Sequence, residues 1–320
     1  MNSIDFLGED DFLEVMNSSN LEWQKTCTRQ GSFRSFDGIV INYYCAIPEN
    51  PRAAVAIVHG FCEFWAKYHE YAWYLYQAGY AVYFHELRSH GYSEGKNKEP
   101  DVVYIDDYDT YVEDFKCFLD TVVMPETGDM KKILLAHSMG GAVATLFLEK
   151  HQDYFDSAIL SSPMLKLKTS ASPASIKALS IYSLIFRKRH KIAPGQRRFD
   201  GVPTFENSST MSKARYDYMF DIRLKDWHYQ TYGASIGWAL ASFKATDRLM
   251  KNAHLIKIPV TVFTAGCDHL IDPDGYENFK KEVPQAKFIP FEKSRHEIFN
   301  ADEEIRKEYF ADVLDELVLF

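Results

Sequence analysis

Short, continuously apolar runs recur along this chain of 320 residues, and they restrict its fold more than any other feature: AAVAIV at 53–58, YAVYFHEL at 80–87, KKILLA at 131–136, DSAILSSP at 156–163 and IPVTVFTAG at 258–266. A strand covered on both faces reads as an unbroken apolar run, and parallel strands need a crossover, usually a helix. Helical patterns fill the intervals. Tyr71, Leu75 and Tyr76 mark one, and residues 104–123 place Tyr108, Tyr111, Val112, Phe115, Phe118, Leu119 and Val122 near helical spacing. GGAVATLFLEK at 140–150 is a third, whose small residues predict close packing. The pattern predicts an α/β fold, a mostly parallel central sheet flanked by helices. Residues 26–47 predict an antiparallel start, a hairpin turning near Asp37 and Gly38.

The rhythm breaks after the sixth strand. Residues 163–250 show no strand-helix alternation and read as a helical or irregular insertion. Alternation resumes at 258, with a helix over about 273–282, the short strand AKFIPF at 286–291 and a last helix from 302 carrying Ile305, Tyr309, Val313, Leu314 and Leu317 on one face. The expected organisation is an N-terminal extension (1–25), a core (26–162 and 251–320) and an insertion (163–250). No internal repeat points to a solenoid or propeller.

The 36 Lys and Arg stand against 45 Asp and Glu, a net charge of -9 that disfavours nucleic acid as a partner. The opening MNSIDFLGEDDF lacks the basic and apolar regions of a secretory peptide. No apolar run reaches the roughly 18 to 20 residues a spanning helix needs. The cysteines Cys27, Cys45, Cys62, Cys117 and Cys267 are odd in number and form no CxxC pair, which fits neither a zinc site nor a disulfide framework. These features predict a reduced, cytoplasmic protein.

The chemistry concentrates at AHSMGG, residues 136–141, between a predicted strand and a predicted helix. A tight strand-to-helix turn lifts its central side chain into an open site and tolerates only small residues two positions before and after. Ala136 and Gly140 flank Ser138 in that way. A capping serine in a small-residue turn has the same composition. HGFCEF at 59–64 also follows a strand, and its turn leaves the Phe61 amide free to join that of Met139 as an oxyanion donor. His59 reads as a core histidine that shapes this turn. A serine nucleophile needs a base and an orienting acid, in chain order Ser, acid, His. Asp268 in GCDHLID and His296 in SRHEIF follow successive strands and fit that order. Asp272 and Asp274 read better as helix caps, and His254 and His269 fit the order poorly.

HGFCEF, HELRSHGYSEG (85–95), AHSMGG, GCDHLID and SRHEIF resemble, in this order, motifs of the α/β-hydrolase fold family, within it the lysophospholipase L2 and monoacylglycerol lipase branch of serine hydrolases. The similarity spans nearly the whole chain from about residue 26. It implies a Ser138, His296, Asp268 triad, an oxyanion hole from the Phe61 and Met139 amides, no cofactor or metal, and a lipid-like ester substrate. The family usually has Gly where Ala136 stands, and Asp-x-Arg-Gly where Glu86, Leu87, Arg88 and Ser89 stand. The resemblance also makes 163–250 a cap, with Tyr182, Phe186, Phe199, Trp227 and Trp238 among its candidate pocket residues.

Three alternatives stay open: an aminopeptidase, which needs acids in its cap for the substrate amine, a thioesterase, and a non-catalytic binder on the same scaffold. Epoxide and haloalkane hydrolases place Asp where Ser138 stands. The cap holds 15 Lys and Arg against 6 Asp and Glu, a balance of +9 that leaves -18 elsewhere. Its densest stretch, RKRHK at 187–191, predicts either a solvated face or peripheral contact with anionic lipid.

Overall fold

The computed structural model describes residues 4–95, 97 and 99–319. Eight strands form one sheet: β1 (Thr28–Arg34), β2 (Val40–Ala46), β3 (Ala54–Val58), β4 (Ala81–His85), β6 (Lys132–His137), β7 (Ser157–Ser161), β9 (Val260–Ala265) and β10 (Lys287–Phe291). Their order is β1-β2-β4-β3-β6-β7-β9-β10. The β1–β2 and β2–β4 pairs are antiparallel and the others parallel. The first hairpin turns through Gly38 at φ 87°, a backbone that glycine adopts without strain.

Alternation along β3 divides the core into two layers. Ala54, Ala56 and Val58 face one layer with α4 (Tyr108–Phe118), α6 (Met139–His151), α9 (Ile236–Asn252) and α10 (Asp274–Glu282), while Val55 and Ile57 face the other with α3 (His69–Gln77) and α11 (Glu303–Val318). α6 is apolar all round because it is buried all round. α4 is capped by Asp107, so the helical spacing read over 104–123 starts at Tyr108, and the helix runs on through a π-helical turn at Leu119–Val123 into α5 (Met124–Thr127).

The chain between β7 and β9 holds α7 (Pro173–Ile185), α8 (Lys213–Lys225) and α9. Two features escape the pattern of the sequence. β5 (Val102–Val103) and β8 (Gly233–Ala234) make a small parallel ribbon, too short for a periodicity to register. The N-terminal segment is helical, α1 (Phe12–Asn17) and α2 (Ser19–Cys27), with Phe12 and Met16 packed against Ala214 of α8. No helix among the described residues is long and apolar enough to cross a membrane.

Candidate active site

Ser138 joins β6 to α6 at φ 53°, ψ -119°, a left-handed conformation that a non-glycine residue adopts only when its surroundings fix it. They do so from both sides. The Ser138 amide donates to the Ser161 carbonyl at 3.0 Å, and the Ser138 carbonyl accepts from the amides of Gly141 and Met164, each at 2.8 Å. A Cβ on Gly140 would lie 2.1 Å from the Val58 carbonyl oxygen, and one on Gly141 2.5 Å from the Pro163 Cβ. Gly140 lets α6 start directly against the end of β3 and Gly141 lets it pass against Pro163 after β7, and Ala136 is fully buried beneath the turn.

Asp268 and His296 leave the ends of β9 and β10, neighbouring parallel strands, so their loops emerge on one sheet edge. A bond from the Cys267 amide to the Ser294 carbonyl at 2.9 Å ties the two loops. His296 Nε2 lies 2.7 Å from Ser138 Oγ, and Nδ1 lies 2.6 Å from Asp268 Oδ2. The other Asp268 oxygen accepts from the amides of Leu270 (2.8 Å) and Ile271 (3.2 Å). Burial raises the Asp268 pKa, but the bonds from His296 and these two amides outweigh it and hold the carboxyl below its ordinary value. Asp272 and Asp274 instead pair with Lys166, and His254 lies 3.8 Å from Glu282 on the surface.

His59 is fully buried and shapes its turn: Nε2 accepts from the Leu87 amide at 2.8 Å, which leaves Nδ1 to donate to the Gly60 carbonyl at 2.7 Å. Burial pulls its pKa down to about 4, so it is neutral. The departures from the family pattern are absorbed locally. Ser89 sits at φ 67°, where glycine is the unstrained choice. The buried Glu86 carboxylate accepts from the Tyr92 amide (2.7 Å), Asn42 Nδ2 (3.1 Å) and the Trp65 amide (3.4 Å), while burial pushes its pKa up to about 7.

Ser138 opens on a cavity of about 820 Å³. Its walls are mainly apolar and come largely from the segment between β7 and β9, including Leu167, Ile176, Leu179, Trp238 and Phe243. Lys168 is the charged residue on this wall, which carries no carboxylate among the described residues. Tyr182 and Trp238 lie on it, and the Trp238 ring packs 4.2 Å from that of Phe61. Phe186, Phe199 and Trp227, expected there, lie elsewhere. Phe186 follows the C-terminus of α7 and is exposed, Phe199 packs on Phe220 and Tyr232, and Trp227 stacks on His228 at the surface.

A buried ion cluster next to His296 escapes sequence reasoning. Lys67 Nζ lies 2.7 Å from Glu63 Oε1 and 2.6 Å from Glu297 Oε1. The second Glu63 oxygen accepts from the Gly60 amide (2.5 Å) and the Tyr68 hydroxyl (2.7 Å), and the second Glu297 oxygen from Thr210 (2.7 Å) and Asn300 (3.1 Å). Its one sequence signal was the four-residue spacing of Glu63 and Lys67. Among the described residues no group of His, Cys, Asp or Glu has the arrangement of a metal site.

A strained serine on the strand-to-helix turn of a mostly parallel sheet, hydrogen-bonded to a histidine and an aspartate from later strand ends, defines the class of α/β-hydrolase fold serine hydrolases. The chain belongs to the family described as serine aminopeptidase, S33, whose model matches residues 49–303. It is 24% identical over 262 residues to a probable lysophospholipase L2 of Haemophilus influenzae, covering 82% of each chain. It is 25% identical over 280 residues to a monoacylglycerol lipase of Mycolicibacterium smegmatis, covering 85% of this chain and 91% of that one. A soluble variant of monoglyceride lipase from Saccharomyces cerevisiae shares the fold at a TM-score of 0.69 and 20% identity, over 92% of this chain and 96% of that one. The chain is a hydrolase of the carboxylic-ester type.

Proposed function

We propose that the chain hydrolyses monoacyl lipid esters through an acyl-enzyme. His296 takes the proton of Ser138 as the oxygen attacks the ester carbonyl, and the Phe61 and Met139 amides receive the oxyanion. His296 then returns the proton to the leaving alcohol, and water deacylates the serine by the same route. Asp268 holds the imidazole in the tautomer that presents Nε2 to the hydroxyl. The observation that carries this reading is the hydrogen-bonded run from Ser138 through His296 to Asp268 at the mouth of an 820 Å³ apolar cavity. An acyl chain suits these walls, whereas the ammonium of an aminopeptidase substrate would meet Lys168 and no carboxylate there. Residues 163–250 act as the cap. A fluorophosphonate probe is expected to label the native chain at Ser138 and at no other residue, read by peptide mass spectrometry. Absence of labelling would favour a non-catalytic binder, and hydrolysis of thioesters or peptides in preference to monoacyl esters would replace the substrate assignment.

The cap also supports peripheral membrane contact from a reducing, cytoplasmic compartment, in keeping with five free cysteines. Ile181, Leu184, Ile185 and Phe186 of the α7 region are between 50% and 67% exposed. Arg187 and Lys188 follow them with no acidic partner among the described residues, whereas cap bases such as Arg198, Lys244 and Arg248 are paired with Asp101, Asp107 and Asp109. Part of the positive balance of the cap is therefore met by acids of the core, and the bases that follow α7 are not. Co-sedimentation is expected to show binding to vesicles rich in phosphatidylglycerol at low salt, weakened by salt and by Leu184→Glu. Equal binding to zwitterionic vesicles at all salt concentrations contradicts the electrostatic part.

A further inference from the structure

A second pocket, of about 210 Å³, adjoins the active site and shares Phe61 with the large cavity. It is polar, and Arg223 of α8 lines it. Four arginines are buried among the described residues: Arg88, Arg215, Arg223 and Arg306. Arg88 is matched by Asp37 and Asp114, Arg215 by Glu9 and Glu70, and Arg306 by Glu70 at 3.7 Å. Arg223 has no carboxylate within ion-pair distance among the described residues.

Neutral groups hold Arg223 instead. Nε donates to the Tyr229 carbonyl at 2.9 Å and Nη2 to the Cys62 carbonyl at 2.8 Å, with the Phe64 and Tyr232 ring centroids 5.1 and 5.9 Å away. Nη1 makes no hydrogen bond to a described residue and, unlike Nε and Nη2 of Arg306, is not sealed off. Burial lowers the Arg223 pKa. Glu297 also lines the pocket, but Lys67, Thr210 and Asn300 engage both its oxygens, and Lys67 is itself taken up by Glu63 and Glu297. These four charges balance as a set, with the positive end at Arg223. Ser209 and Tyr232 bring hydroxyls to the same pocket.

A guanidinium with a spare donor, beside neutral hydroxyls, is suited to a phosphate. We propose that this pocket binds a phosphate carried by the alcohol half of the substrate, with Arg223 as the residue that reads it, so that glycerophosphate monoesters of fatty acids are preferred to neutral monoacylglycerols. The inference rests on the ester-hydrolase reading and narrows it. The acyl chain occupies the large cavity, the carbonyl sits at Ser138, and the alcohol half passes Phe61 toward Arg223.

The test compares kcat/KM for 1-lauroylglycerol 3-phosphate and 1-lauroylglycerol, acyl-matched and below their critical micelle concentrations. The native chain is expected to prefer the phosphate ester. Arg223→Gln should lower the ratio of the two values about tenfold or more, the size of a lost hydrogen bond to a charged group, and Arg223→Lys should lose less. The ratio is insensitive to partial unfolding, because both esters meet the same folded fraction. Glycerol 3-phosphate should inhibit the native chain competitively and more strongly than inorganic phosphate. An unchanged ratio in Arg223→Gln overturns the proposal, and inhibition by inorganic phosphate as strong as by glycerol 3-phosphate replaces it with a site for the free anion. If neither ester is turned over, the ester-hydrolase reading fails, and calorimetric binding of glycerol 3-phosphate decides the subsite alone: a tenfold loss in Arg223→Gln supports it, and equal binding sinks it.

Discussion

Ser138→Ala is expected to reduce kcat on a short p-nitrophenyl ester by about 10⁴-fold to 10⁶-fold, with KM changed only a few-fold. The size follows from the geometry. Ser138 Oγ is 2.7 Å from His296 Nε2, and His296 Nδ1 is 2.6 Å from Asp268, so in the proposed mechanism one oxygen is the nucleophile and the other two residues act through it. Under the proposed mechanism, truncating it removes the covalent route and leaves the Phe61 and Met139 amides and the cavity intact, which preserves binding while abolishing turnover. The fold should tolerate the change, since the backbone bonds that fix the turn to Ser161, Gly141 and Met164 do not involve the side chain. Ser138→Gly should be equally inactive and melt somewhat higher than Ser138→Ala, because glycine relieves the strain at φ 53°, about 1 kcal/mol. A variant that keeps even a tenth of native kcat would remove Ser138 from the mechanism, provided that mass spectrometry excludes contamination by native chain.

The parts of this site that were legible in the sequence are those whose chemistry is written in local steric rules. AHSMGG announces a turn that only small residues permit, and the clashes that a Cβ would meet at Gly140 and Gly141 show why. Asp268 and His296 were legible because parallel strands deliver their C-terminal loops to one edge, so chain order alone brings distant residues together. The apolar runs gave the sheet because strands covered on both faces have no polar alternation to obscure them. What remained illegible depends on tertiary approach. Arg223 and the Lys67 cluster join segments about 160 and 230 residues apart, with no motif to link them. Composition could not separate Tyr182 and Trp238, on the cavity wall, from Phe186, Phe199 and Trp227, because an aromatic serves equally well in a wall, a cap interior or an exposed face. The α1 helix left only a Phe12 and Met16 pair at four-residue spacing, too little to register without the α8 surface it packs against.

Lys67→Met should be the most destabilising single substitution considered for this chain, by about 3–5 kcal/mol in chemical denaturation at pH 7. Lys67 is buried between two carboxylates on different segments: Glu63, in the turn that presents Phe61, and Glu297, next to His296. Burial alone would raise the pKa of each acid, but Lys67 leads the interactions that hold both below their ordinary values, and they in turn raise the pKa of Lys67 against its own burial. The sign for the native chain follows from the lowered folded pKa values. The stability these acids contribute is complete above the unfolded carboxylate range, about pH 4 to 5, and is lost as pH falls through the lower folded values. Without Lys67 the two buried acids face each other uncompensated, their folded pKa values rise, and the sign reverses: the variant is penalised increasingly as pH rises from about 4 toward 7. The stability gap between native chain and variant should therefore be widest near neutrality and narrow in acid. Lys67→Arg, which keeps the charge, should recover part of it. Esterase activity should fall beyond the loss of folded fraction, because the cluster ties the turn carrying Phe61 to the loop carrying His296. A gap below about 1 kcal/mol that does not vary with pH would mean that the two carboxylates find other partners or water, and that Lys67 does not hold these two segments in register.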